Sequence, residues 1–504
     1  MLSTGSTLLI DFGPGGTSDT LDITGEVSIG GVVALGNGIT QTVNGDGTQY
    51  TILTAGSGIV DGNGDAISTF TNGTISAILS QSFTYEANAV LLEILAASYT
   101  TAIDGTDPVQ SAYAQLFDQN RPNSALSDLY ALDFASADTI QSTFVGLAPV
   151  TETAVRTLAA QSYNDLMNFN NNRLAVSNRE SMGGTIATLG DPLKATQVGL
   201  SRYAQPLSIN DLGLADSDEV TNVQQGAVPE NLAIYFAGGL VNGSGASMPG
   251  YQLTKTQYDG YILAGGIELF PGDNTMVGAS VYHSNLDADV VLGASAESTM
   301  WAGSIYGRTK TAAGIVLDGQ VSVSKFETDT SRTVAFVGTP QTLISNDDST
   351  GISAGVGVSY DMDFDGTTIS PGVEARYSRV SFGQVSETGG VTALAMDRER
   401  FQSFQGRAGI DFQSATIDGI QVTGNADYVH EFDDGPQLFQ ANFVGGTGPT
   451  AGFALDGTDQ NWFELGMGVS VEQGPIKFGV AASTTIGRDD ASARTYSANA
   501  TLRF

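Results

Sequence analysis

The sequence contains no cysteine, which removes disulfide frameworks, thiolate metal sites and cysteine nucleophiles together. Basic residues are scarce: 20 Lys and Arg stand against 54 Asp and Glu, for a net charge of −34. A chain so poor in cations cannot neutralise a row of phosphates, so nucleic acid is excluded as a partner. Acidity of this degree suits an exposed or secreted protein. Histidine is almost absent as well. His283 and His430 are the only two, both near the ends of expected strands, and a structural role is read for each. Neither a phosphate-cradling Gly-x-x-x-x-Gly-Lys loop nor a Gly-x-Gly-x-x-Gly turn occurs, and no cofactor is expected. Finally, there is no long apolar run: the best, Ala89 to Ala97, is interrupted by Glu93. That excludes a helical membrane span, but not a membrane barrel, whose strands alternate and give no strong hydropathy peak.

What the chain has instead is glycine. Its 63 residues are scattered with Ser, Thr and Asn between short apolar stretches, a pattern of many strands and many turns. Aromatic residues hold at 8%, so the bulk is not a disordered tail. The start, MLSTGSTLLIDFGPGG, lacks the basic region, apolar core and cleavage site of a signal peptide, and reads as the beginning of a fragment.

Residues 1–100 carry short strands such as TLLIDF, DTLDITG and YTILTAG. They are punctuated by Gly36-Asn37-Gly38, Asn44-Gly45-Asp46-Gly47 and Asp61-Gly62-Asn63-Gly64, which suits stacked β-helix rungs. Residues 101–150 become Ala/Leu/Asp-rich, with Pro108, Pro122 and Pro149 as breakers, and read as a linker. Pro149, Thr151 and Glu152 open a helix over 151–183, with Arg173 and Arg179 late in it and Gly183-Gly184 as its stop. About 30 residues of helix span roughly 45 Å. Its abundance of Asn, Gln, Ser and Thr belongs in a wet cavity rather than in lipid. Residues 184–229 are a polar connector.

From about 230 to 504 the pattern changes to long alternating strands. In the last, Tyr496, Ala498, Ala500, Leu502 and Phe504 share one face, and Ser497, Asn499, Thr501 and Arg503 the other. About twelve such segments begin near residues 231, 257, 274, 296, 313, 350, 366, 401, 417, 460, 475 and 492. An even number of ten-residue strands is what a bacterial membrane barrel requires. A soluble sandwich also alternates, but it buries bulky residues on its inner face. Here the second face is small or charged, with Glu268, Glu374, Arg376, Arg407, Asp411, Asp427, Glu464 and Arg503 as expected lumen-lining groups.

At this point the chain resembles the autotransporter family of type V secretion along nearly its whole length. Leu21-Asp22-Ile23-Thr24-Gly25, Gly30-Gly31 and Tyr50-Thr51-Ile52-Leu53-Thr54-Ala55 look like the closing rungs of a pertactin-like passenger. Ala233 to Gly239, Gly260 to Glu268 and Val277 to Tyr282 resemble the first three barrel strands, with Tyr235 where the family usually carries Trp. The resemblance implies an all-β fold: a 12-stranded antiparallel transmembrane β-barrel with a luminal α-helix, preceded by a short β-helix-like passenger remnant. It implies a translocator of the cell outer membrane that is not an enzyme and displays its N-terminal passenger segment at the surface. Partners implied are outer-membrane lipid, the barrel-assembly machinery and periplasmic chaperones, with the protein itself a monomer. Tyr496, Leu502 and Phe504 look like the insertion signal of the closing strand. The alternatives are a surface adhesin whose displayed segment is functional, and a passive outer-membrane pore.

Three further patterns have chemical readings. Asp361-Met-Asp-Phe-Asp365-Gly366 matches half a calcium loop, but Gly372 stands where the bidentate acid belongs, so a hairpin turn is expected. Asp61 to Asp65 is a single acidic cluster, which reads as a rung turn. Asn170-Asn171-Asn172-Arg173-Leu174 resembles the Asn-Asn junction that some autotransporters with protease passengers cut in the lumen. There Asn171 or Asn172 stands close to the scissile bond, a side-chain amide attacks its own carbonyl, and Glu268 or Glu374 orients it. A solvated helix face is the plainer reading, and luminal carboxylates are expected to pair with Arg376, Arg407 or Arg503.

Overall fold

A computed structural model describes residues 2–503 except 3–4, 14–16, 39–46, 61–68, 122, 176–183, 190–195, 200–222, 229–230, 247, 249–254, 434–437 and 456–458. Phe504, Pro122, Arg179, the Gly183 stop, the Asp61–Asp65 cluster and most of the 184–229 connector therefore lie outside the described residues. Within that connector, Gly184–Leu189, Thr196–Gly199 and Val223–Val228 form a small antiparallel sheet.

From Leu232 onward, alternation in sequence becomes antiparallel pairing. The twelve strands are β1 (Leu232–Gly245), β2 (Thr256–Gly272), β3 (Thr275–Val290), β4 (Ala294–Lys310), β5 (Ile315–Phe336), β6 (Thr339–Tyr360), β7 (Thr367–Ser381), β8 (Phe401–Gln413), β9 (Ile420–Glu431), β10 (Asn461–Gln473), β11 (Ile476–Ile486) and β12 (Ala491–Arg503). Each pairs with its chain neighbours, and β12 returns to β1 in register from Ala233↔Arg503 to Gly245↔Ala491. Closure leaves the wall no free edge, which is the condition for crossing lipid with strands. Eleven strand starts fall within three residues of the sequence-based positions; β6 begins eleven residues earlier. The early part of β6, TPQTLISNDDS, is polar and is held as strand by its 22-residue partner β5.

The two rims differ. On one, the connections are short, as at 273–274, 311–314 and 474–475; on the other they include 382–400 and 432–460. An even strand count puts both barrel ends at the short-turn rim. The β6–β7 connection is the half calcium motif. Asp365 and Gly366 both take positive φ (53° and 81°), and Asp363 Oδ1 accepts from Gly366 N at 2.9 Å. This is a hairpin turn of the primed kind, as expected from Asp-Gly.

The outer wall carries a continuous apolar band, including Phe236, Val281, Ile305, Val321, Val356, Ile410, Met467 and Val480, all exposed. An area of that size belongs against lipid. Above it sit aromatic clusters that contain both histidines. His283 stacks on Trp301 at 4.3 Å beside Tyr261, and His430 meets Phe432 at 4.5 Å beside Tyr428. The inner wall has two storeys. Toward the short-turn rim it is polar, with Ser280, Ser304, Arg308, Asp318 and Gln320. Toward the long-loop rim apolar residues join it, with Tyr282, Leu286, Ala288, Val290, Met300, Phe326, Val334 and Phe336 buried in one continuous core beside Ser284, Ser298, Thr328, Thr330 and Arg332. The expectation of a small or charged second face therefore describes the lower storey, and in the upper one such residues share the wall with bulky apolar ones.

The N-terminal region begins with parallel pairs: Thr7–Ile10 on Val32–Leu35, Leu21–Ile23 on Leu53–Ala55, and Val27–Ser28 on Ile59–Val60. Parallel pairing of sequence-near strands is a solenoid feature. Leu79–Tyr85 and Ala89–Ala96 close it by antiparallel pairing.

The span 101–150, expected as a linker, is instead folded. It forms α1 (Pro108–Asn120), a 3-10 stretch (Ser124–Phe134) and α2 (Ala137–Gly146). Pro108 does not break structure: it is the first residue of α1, where a missing N–H costs nothing, and Asp107 caps the helix by accepting from Val109 N and Gln110 N at 2.8 and 3.1 Å. Together these helices form a cap at the long-loop rim. There the β7–β8 and β9–β10 connections build a sheet of Gln384–Ser386, Leu394–Arg398, Leu438–Phe443 and Ala451–Ala454. Tyr113 and Phe117 of α1 pack on Phe443 at ring distances of 6.3 and 5.2 Å, and Asn120 Nδ2 donates to Asn442 Oδ1 at 2.7 Å.

Candidate functional site

Helix α3 (Thr151–Ala175) passes through the lumen from the long-loop rim to the short-turn rim. At 1.5 Å per residue its 25 residues span about 37 Å. Its polar side chains, unsuited to lipid, find partners on the wall at every level. At the top, Glu152 takes two bonds from Arg398, at 2.7 and 2.8 Å, so the first-turn acid serves an ion pair as well as the helix dipole. Thr157 Oγ1 donates to Asp490 O at 3.2 Å, and it is admitted by Gly245, where a Cβ would lie 2.4 Å from the threonine. Tyr163 bonds to Ser324, and Gly351 leaves the room for its ring.

Midway, Glu464 collects four donors: Arg407 Nη2 at 2.7 Å, Trp462 Nε1 at 3.1 Å, and the Nδ2 atoms of Asn164 and Asn168, each at 3.2 Å. A carboxylate this buried is tolerable only when its lone pairs are filled. Arg376 pairs with Glu374 at 2.8 Å and donates to Asn168 Oδ1 at 2.6 Å. Arg407 also lies 3.8 Å from Glu374 and 3.9 Å from Asp427. These groups form one charged belt around the helix.

Lower down, Arg173 grips Glu268 with two bonds, Nε at 2.8 Å and Nη2 at 2.7 Å. Its Nη1 donates to Thr501 at 3.1 Å, and its guanidinium lies 4.0 Å from the centre of the Tyr235 ring. Tyr306 completes the cluster: its one hydroxyl proton goes to Glu268 at 3.0 Å, and its oxygen accepts from the Tyr235 hydroxyl at 2.9 Å. The Tyr235 hydroxyl thus ties its strand to the Tyr306–Glu268 pair. Arg308 donates to Leu174 O at 2.8 Å, neutralising the C-terminal end of the helix.

Against the sequence-based candidates, all eight luminal groups point inward. Glu374 and Glu464 meet barrel arginines, as proposed for luminal acids. Glu268 does not: its partner is Arg173 of the helix, because the helix brings that guanidinium into the same pocket. Arg503 pairs with Glu472 at 3.4 Å, a residue passed over in sequence. Asp411 faces a cavity of about 380 Å³ in the lower storey, which Asp318, Asp427 and Lys477 also line. Asn171 Nδ2 donates to Glu374 Oε2 at 2.8 Å and its Oδ1 accepts from Gln320 at 2.6 Å, whereas Asn172 lines the cavity. Tyr496 and Leu502 lie on the lipid face. The spacing Gly351-Ile352-Ser353-Ala354-Gly355 matches a serine nucleophile elbow, a pattern wrongly counted as absent on sequence. It sits mid-strand in β6, without the strand-to-helix turn that exposes a nucleophile. Among the described residues, no group of three or more His, Asp or Glu could hold a metal ion.

A closed twelve-stranded wall with an apolar belt outside and a polar helix inside is a plugged outer-membrane barrel. Residues 236–483 match the family model described as the autotransporter beta-domain, and the barrel of this chain belongs to that family. It is an outer-membrane protein of the passenger-exporting class. Among solved structures, the chain is similar to the translocator domain of autotransporter NalP from Neisseria meningitidis, at 14% identity and a TM-score of 0.46, covering 54% of this chain and 88% of that one. It is also similar to the beta domain of the Bordetella autotransporter BrkA, at 13% identity and a TM-score of 0.37, covering 54% and 100%. The transport unit of AIDA-I from Escherichia coli shows 12% identity and a TM-score of 0.35, covering 54% and 90%. No curated protein matches the chain.

Proposed function

We propose that this protein carries its own N-terminal segment across the outer membrane and then holds it at the cell surface. The observation that supports this is the path of the chain. The folded cap lies at the long-loop rim, α3 runs through the lumen, and the barrel begins at the short-turn rim. In outer-membrane barrels the short turns face the periplasm, so this path leads outward from it. Export of this kind draws on folding and assembly and assigns no chemical step to the chain. The barrel-assembly machinery and periplasmic chaperones are the partners it calls for, and a lone barrel suffices. A passive pore fits less well, because α3 runs through the lumen and is bonded to the wall along its length.

An epitope inserted after Gly5, a position with open space around it, tests the reading. Intact cells should bind the antibody, and the protein should fractionate with outer membranes and show heat-modifiable gel mobility. Binding only after permeabilisation overturns surface display, and recovery as a soluble periplasmic monomer overturns the barrel.

A further inference from the structure

The upper storey poses a physical problem that the lower one does not. Leu286, Val290, Met300, Phe326, Val334 and Phe336 give its β3–β5 side an apolar inner face that does not stand open to water. Val155, Leu158 and Ala159 in the first half of α3 cover part of it, and the cap closes the mouth above them. Phe117 of α1 is fully buried, with Tyr99, Phe144 and Phe443 at ring distances of 5.0, 5.1 and 5.2 Å and Phe336 of the wall at 6.3 Å. Polar contacts fix the docking. Asn120 Oδ1 accepts from Thr447 N and Gly448 N at 3.2 and 3.3 Å, and Asn123 Nδ2 donates to Gly445 O at 2.8 Å. Arg332 of β5 bonds the carbonyl of Leu147 while holding Glu387 with two bonds at 2.6 and 2.7 Å. The fit is close: a Cβ on Gly448 would come within 2.8 Å of Gln119 O. The cavity of about 380 Å³, by contrast, lies in the lower storey against the second half of α3.

We propose that residues 98–150 dock on the long-loop sheet as a seal, and that this seal, rather than α3 alone, closes the barrel to ions. The partner of this docking surface is thus a segment of the same chain. The argument does not rest on export, since a barrel inserted by any route would be closed in the same way.

The test uses the full chain and its lack of cysteine. Ala441→Cys places one thiol in the strand Leu438–Phe443, on the buried face shared by Phe439 and Phe443. It should resist a maleimide while the cap is docked. Phe117→Asp puts a charge into the apolar interface, Gly448→Val wedges it without charge, and Gln115→Asp alters only the exposed side of α1. Each protein, verified as a folded barrel by heat-modifiable mobility, is measured for maleimide labelling and for stepwise conductance in planar bilayers. Protection and closure in the parent and in Gln115→Asp, with both lost in the variants that label, is the expected result. The proposal is overturned if a variant labels fully yet stays as closed as the parent, for then α3 is the seal. It is equally overturned if the parent conducts while its cysteine is protected. Should neither substitution expose the thiol, deletion of 108–146 removes the interface outright, and closure of that protein overturns the proposal as well.

Discussion

Arg173→Ala should be among the most damaging single changes in the molecule, and the structure says by how much. Arg173 is 4% exposed and Glu268 1%. Two bonds at 2.8 and 2.7 Å join them. Removing one partner of a buried pair costs about 3–5 kcal/mol, because the other charge is left uncompensated. The stacking of the guanidinium over Tyr235 at 4.0 Å adds up to about 2 kcal/mol in a desolvated site. A loss near 5 kcal/mol follows, well outside the usual range for point substitutions. Arg173→Lys keeps the charge but not the fork, and should cost about half as much. The double change Arg173→Ala/Glu268→Ala removes the stranded carboxylate and should recover about 2 kcal/mol or more, a coupling expected of groups in direct contact. Urea unfolding in lipid vesicles gives the numbers, read from the two tryptophans; buried Trp462 reports on the lumen, and Trp301 on the lipid face. If the double variant is no more stable than Arg173→Ala, the pair does not hold the helix as argued.

Five shorter predictions concern other parts of the chain. Val337 holds a φ of 46° at the tip of the β5–β6 hairpin, costly for a β-branched residue, so Val337→Asn should stabilise by about 1 kcal/mol in the same unfolding assay. Gly338→Ala, at a φ of 77° with open space around it, should destabilise through backbone strain alone. Burial and the adjacent Asp133 carboxylate, which accepts from the hydroxyl at 2.7 Å, hold the Tyr99 phenol well above the usual tyrosine value. A raised value means stability that is complete below about pH 10 and lost as pH rises through the folded value. The cap should therefore loosen only in strong alkali, with Tyr99 titrating late at 295 nm, and early titration refutes its burial. Phe504→Asp should reduce assembled barrel in membranes much more than Arg503→Ala does; equal assembly removes the insertion-signal reading. With the Asn171 amide directed at Glu374 and Gln320, the chain should stay intact on prolonged incubation, like an Asn171→Asp/Asn172→Asp control. A new N-terminus at Asn172 by mass spectrometry contradicts this.

Much of the barrel was legible because alternation is a local property. Phe463, Leu465, Met467, Val469 and Val471 fall on one face whatever the rest of the chain does. The luminal charges followed from the same count. Their partners did not, because pairing depends on where a distant helix settles. Nothing in the spacing of Glu268 reveals that Arg173, 95 residues earlier, will reach it. The cap was missed for a different reason. Its signals were present: Asp107-Pro108 is a strong helix start, and Val109, Ala112, Tyr113, Leu116 and Phe117 repeat at helical spacing. Three prolines were weighed as breakers, and a first-position proline looks like a breaker until its cap is noticed.

A subtler signal marks where the membrane ends. On β3 the apolar residues Val277 and Val281 face out and Gly278 and Ser280 face in; further along, Leu286, Ala288 and Val290 face in while Asn285, Asp287 and Asp289 face out. The phase of alternation inverts at His283. On β5 the outward residues Leu317, Val321 and Val323 give way to Lys325, Glu327 and Asp329, as inward Asp318 and Gln320 give way to Phe326, Val334 and Phe336. β4, running the opposite way, reads Ala294, Ala296 and Met300 inward before Trp301 and Ile305 turn out. A strand surrounded by lipid must be apolar outside, and one standing above it in water must be apolar inside if it encloses a core. No polar barrel can satisfy the second condition alone. Inward apolar residues above the boundary need something to cover them, so the inversion itself implies a packed mouth, which the first half of α3 and the cap supply together. Three neighbouring strands that switch phase at the same height thus mark, from the barrel side alone, where a core must be packed inside the mouth.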